Sequence, residues 1–130
     1  MNNDNAGKLV VRLSLGILIL FHGVAKILHP DSLGFMKSGL AGWGLPEAVA
    51  YGVYIGEVVA PLLLILGVYA RWCGMLVVVN MLFAIGLAHM GDLFALTDHG
   101  GYRLELQMFY LFGGLAVMLL GSGRYAVRPD

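Results

Sequence analysis

Glu57 is the residue on which chemistry in this chain must turn, because it stands alone among apolar neighbours in the run Val53-Tyr54-Ile55-Gly56-Glu57-Val58-Val59-Ala60. A charge at the middle of a bilayer costs about 2.5–3.5 kcal/mol on insertion scales, so a carboxylate in such a run needs a partner and a reason. A second apolar run carries Arg12, Leu15, Ile19, His22 and Lys26, whose spacings of three and four place them on one helix face. His22 or Lys26 can therefore pair with Glu57. His89 and Glu105 fall at the ends of two further apolar runs and are expected near the same end of the molecule, while Tyr54, one turn before Glu57, either bonds it or lines a pocket. Glu57, His22 and Lys26 are thus the candidate proton and ligand site, with His89, Glu105 and Tyr54 as candidate ligand-binding residues. Titratable groups gathered in a low-dielectric pocket serve proton or ligand chemistry, and the competing reading is a buried ion pair that only fixes helix register. No Glu-x-x-His or His-x-x-x-His pair sets metal geometry, so a metal centre is not expected.

The elements that must position these residues follow from composition. Of 130 residues, 59% are hydrophobic and only 12% charged, which leaves too little polar surface for a water-soluble domain of this size. A helix rising about 1.5 Å per residue needs roughly 20 apolar residues to cross a hydrocarbon core of about 30 Å. Four runs approach this, at residues 9–28, 48–70, 72–90 and 104–120. Backbone groups in lipid must be satisfied within their own segment, so these runs are helices, and the expected fold is an all-α, four-helix membrane bundle in one domain, residues 1–130. Helical rise puts Glu57 about 13 Å below one membrane surface. Pro61 is expected to kink the second span, Arg71 to be almost the whole link to the third, and Asp31–Trp43 to lie along the interface as a short capping segment. Asn80, mid-span, is expected to bond a neighbouring helix.

Eight basic and eight acidic residues leave no basic stripe, so nucleic acid is not an expected partner; the lipid bilayer is. Cys73 is the only cysteine, which excludes a disulfide framework or a paired-cysteine redox motif within one chain. The first run has an acidic start and is too long for a cleaved leader, so it reads as a retained span. Lys8, Arg12, Arg71, Arg124 and Arg128 fall on the side of the termini against Lys26, Lys37 and Arg103 on the other, which favours cytoplasmic termini.

Together these residues resemble a known pattern. Arg12-Leu13-Ser14-Leu15-Gly16 leading to His22-Gly23-Val24-Ala25-Lys26 is similar to the opening of the DoxX family of small bacterial inner-membrane proteins. Gly44-Leu45-Pro46, then Glu57 with Leu62-Leu63-Leu64-Ile65-Leu66-Gly67 and Arg71, then Glu105 and the closing Gly121-Ser122-Gly123-Arg124-Tyr125, follow in the family's order. The resemblance implies a multi-pass inner-membrane protein, and an association of some relatives with quinone-linked and redox-stress systems. The leading expectation is a component of a membrane redox system with redox partner proteins, binding a small or quinone-like molecule in the outer half of the bundle; whether it is itself an oxidoreductase stays open. The rival is a non-enzymatic scaffold or assembly factor. Transport is disfavoured by four short helices without a visible inverted repeat, although a homo-oligomer would change that.

Overall fold

Acidic Asp4 in its first turn and basic Lys26 in its last both favour the helix dipole of α1, which runs unbroken over Asn3–Leu28 and begins earlier than the apolar run. The computed structural model describes residues 3–88 and 90–130. After α1, a short helix α2 (Leu33–Gly42) precedes a composite second span, Glu47–Leu66. That span is built from a 3-10 stretch at Glu47–Gly52, a π turn at Ile55–Val59 and an α-helix, α3, at Ala60–Leu66. Then come α4 (Ala70–Ala88) and α5 (Glu105–Leu120). The α1, second and α4 segments are long and apolar enough to cross a membrane, and α5 is a shorter apolar helix beside them, giving an all-α four-helix membrane bundle.

The irregular second span has a local cause. Pro61 has no N–H to give the carbonyl of Glu57, four residues earlier, and its ring crowds that carbonyl. The turn before it widens into a π turn, a form that recurs inside helices at functional sites. Gly67, in the left-handed region at φ +79°, then ends α3, with its N–H and that of Val68 both donated to Leu63 O. The link to α4 is therefore Gly67-Val68-Tyr69, and Arg71 belongs to the first turn of α4 instead of forming the link.

Small residues set the helix spacing. A Cβ on Gly74 would lie 2.5 Å from Gly114 O, and one on Gly114 would lie 2.8 Å from Gly74 O, so α4 and α5 cross backbone against backbone. The core between the helices is Leu15, Ile19, Ala60, Leu64, Val77, Met81, Tyr110 and Val117. Helix α2 packs on the end of α4, with Trp43 against Gly86 and Gly39 against Leu87. Lys37 Nζ donates to the Tyr51 hydroxyl at 2.9 Å, which ties α2 to the second span and raises the Lys37 pKa. We call the α2 end of the bundle the far side, and the end where α1 begins the near side.

Candidate functional site

Three chain features bring Glu57 into the bundle. The π turn carries it, and the carbonyl it frees faces α1, where a Cβ on Gly23 would come within 2.0 Å of that oxygen. Glycine at 23 is what lets the two backbones meet. Gly56, the preceding residue, faces Asn80, and a Cβ there would sit 2.6 Å from the Asn80 Cβ. The Glu57 side chain is thus flanked by α1 on one side and α4 on the other, and it is 2% exposed.

Both its oxygens are engaged. Lys26 Nζ donates to Oε1 at 2.5 Å, and Asn80 Nδ2 donates to Oε2 at 2.8 Å. Three helices are joined through one carboxylate. The Lys26 side chain is 25% exposed, whereas that of Glu57 is 2% exposed. Tyr54 does not bond Glu57; its hydroxyl donates to the Lys26 carbonyl at 3.2 Å and steadies the end of α1. Tyr110 of α5 stands within electrostatic range of the carboxylate.

The remaining expected members lie elsewhere. The buried face of α1 runs through Arg12, Leu15, Gly16, Ile19 and Gly23, and His22 is about 100° around the helix from Gly23, so it turns out of the bundle. Its ring is exposed and sits edge-on to Tyr110 at 5.8 Å, and no hydrogen bond joins it to Glu57 among the described residues. Glu105 is exposed in the first turn of α5, its carboxylate beside Gly101 and Thr97 and not in the polar core. His89 lies outside the described residues. Among the described residues no group of three His, Cys, Asp or Glu side chains is arranged to hold a metal ion.

Beside the triad lies a cleft of about 190 Å³ between α2, the second span and α4, lined by Met36, Leu40, Val53, Val79 and Phe83 together with Asn80 and Gly56. Asn80 is the polar side chain in its wall and the same residue that bonds Glu57.

A second polar cluster, not anticipated from the sequence, closes the near side. Arg12 is 1% exposed and donates to Ser122 O at 2.8 Å and Tyr125 O at 2.7 Å. Arg71 donates to the carbonyls of Met118 and Leu119 at 3.2 and 3.0 Å, which caps the end of α5. Its backbone N–H meets Asp130 Oδ2, and the Ser122 N–H meets Asp130 Oδ1. Residues 121–130 are thereby strapped across the helix ends, with Val127 and Arg128 N–H groups bonded to Leu66 and Gly67 carbonyls. The signal was a second buried-charge candidate, Arg12, in the first span, subject to the same rule that singled out Glu57.

The DoxX family model matches residues 7–90, which carry Arg12, Lys26, Glu57 and Asn80. The chain belongs to the DoxX family. An uncharacterized protein of Haemophilus influenzae is 31% identical over 121 residues, covering 90% of this chain and 84% of that protein. No solved structure matches it. The residues that carry the resemblance gather at two poles, Lys26 with Glu57 on the far side and Arg12, Arg71 and the Gly121–Tyr125 turn on the near side.

Proposed function

We propose that this DoxX protein is a component of a bacterial inner-membrane redox system, with cytoplasmic termini, and that it binds a small quinone-like molecule next to the Lys26–Glu57–Asn80 triad. The observation that supports this reading is a carboxylate held inside a membrane bundle and tied by one amide to a cleft whose lining includes Ile55, Val79 and Phe83, all exposed on the surface of the bundle. A quinone is neutral, flat and soluble in lipid, which suits a cavity with one polar group. In this reading Glu57 holds or passes a proton, Lys26 connects it to the far-side interface, and electrons come from a partner membrane protein.

The occupancy of Glu57 favours a second reading. Both its oxygens have partners and its side chain is closed to solvent, which is how a filled core that only fixes helix register looks. The protein is then a scaffold for other membrane proteins.

Titration of the purified protein in nanodiscs with ubiquinone-1 and a short-chain menaquinone separates the two. The redox reading expects saturable quenching of tryptophan fluorescence, weakened at least tenfold in a folded Lys26→Met/Glu57→Gln variant. Absence of saturable quenching by either quinone, in a protein that still restores the phenotype of a deletion strain when both charges are removed, would establish the scaffold reading instead.

A further inference from the structure

Asn80 uses only part of its hydrogen-bonding capacity. An amide side chain offers two N–H donors and an acceptor oxygen with two lone pairs. One donor goes to Glu57 Oε2, and among the described residues no partner meets the second N–H or Oδ1. The side chain is 9% exposed, and the space it borders is the α2–α4 cleft. A nearly buried amide with free donor and acceptor positions in the wall of an apolar cavity is costly to leave unmatched where water is scarce.

We infer that this cleft is a binding site for an uncharged, lipid-soluble molecule bearing a carbonyl or hydroxyl head, which enters sideways from the bilayer and is read by the free amide positions of Asn80. This rests on the proposed function in taking the triad as a ligand site, and adds what recognises the ligand and by which route it arrives.

Chemistry narrows the class. An anionic head would approach a site backed by the Glu57 carboxylate, with the Lys26 ammonium bonded on the far side of that carboxylate. Among the described residues, a cationic head would find no carboxylate in the cleft wall. A neutral carbonyl accepts from the amide N–H, and a hydroxyl can also donate to Oδ1. Size narrows it further. Pockets that enclose a whole drug-sized ligand run to roughly 300–1,000 Å³, so a cavity of about 190 Å³ takes a ring or a short chain segment and leaves the tail in lipid. The roof is supplied by Met36 and Leu40 of α2, which is held down by Trp43 over Gly86 and by Lys37 on Tyr51.

Photoaffinity labelling of the intact protein in nanodiscs tests this, with three diazirine probes: a decyl-ubiquinone analogue, a hexadecanol analogue and a hexadecane analogue. The expected result is saturable labelling by one or both head-bearing probes on peptides containing Met36, Val79 or Phe83, falling at least tenfold in Asn80→Leu. Labelling by the ubiquinone probe alone assigns the head to a quinone, and labelling by both assigns it to any carbonyl or hydroxyl lipid. Hexadecane should label without saturation. Gly52→Leu serves as the second variant, because Gly52 lines the cleft, a Cβ added there meets nothing within 4 Å, and Gly52 is not part of the triad. It should reduce labelling by a similar factor. Saturable labelling beside His22 and Tyr110, on the α5 flank of Glu57, that neither substitution alters would overturn the cleft while leaving the proposed function standing; no saturable labelling anywhere would overturn both.

Discussion

Removing one charge from the Lys26–Glu57 pair should be worse than removing both. Lys26→Met leaves a carboxylate that is 2% exposed and whose remaining hydrogen-bond partner among the described residues is the Asn80 amide. Breaking a buried pair from one side costs about 3–5 kcal/mol, because a bare charge remains. Glu57→Gln leaves the opposite remnant, an ammonium on a side chain already 25% exposed, which can turn its long stem toward the interface. Its loss should be smaller, on the order of 1–2 kcal/mol, since the glutamine keeps the shape and an oxygen for Asn80. The double variant removes the stranded charge altogether and should lose no more than about 1–2 kcal/mol, a coupling of at least about 2 kcal/mol. Unfolding of the four proteins in mixed micelles by added SDS, followed by circular dichroism, gives the cycle. Additive losses, or a Glu57→Gln protein less stable than Lys26→Met, would refute the reasoning that burial on the carboxylate side governs the pair.

Gly23→Ala should destabilise the bundle by more than about 2 kcal/mol, since the new Cβ meets the Glu57 backbone and must push α1 away, whereas Gly7→Ala meets nothing within 4 Å and should be neutral to stabilising by up to about 1 kcal/mol through helix propensity; the same SDS titration compares them. Arg12→Lys offers one ammonium where a guanidinium reaches both Ser122 O and Tyr125 O, and should free residues 121–130 to limited proteolysis at least several-fold faster. Arg71→Ala should speed amide exchange in the last turn of α5 while leaving its first turns unchanged. Cytoplasmic termini predict a fluorescent reporter fused at Asp130 to be bright and an alkaline phosphatase fusion there to be inactive; the reverse pair of results inverts the topology.

The four spans were legible because lipid permits so few backbone solutions that hydropathy and length nearly decide them. Their ends were less so. Asn3 to Lys8 continue α1 beyond the apolar run because polar residues extend a helix into water at no loss, and Gly67 stops the second span early through a left-handed turn that hydropathy does not register. Depth alone left Glu57 to pair with either His22 or Lys26. The exclusion of His22 was not legible, because spacing defines a face only to within a turn, and the small residues Gly16 and Gly23 decided which side of that stripe packs inward. Asn80 was foreseen as an interhelical bond, but its choice of Glu57 depends on the π turn that Pro61 enforces four residues on. The near-side cluster was hidden because the partners of Arg12 are backbone carbonyls more than 100 residues away in sequence.

A solid-state dipolar recoupling measurement between Nζ-labelled lysine and Cδ-labelled glutamate tests the buried triad most directly. With three lysines and three glutamates in the chain, the structure expects a strong short-range coupling from Lys26 to Glu57 in lipid bilayers. That signal should vanish in Lys26→Met and persist when Lys37 is replaced. Its absence in the wild-type protein, or its survival without Lys26, would place Glu57 elsewhere and contradict the account.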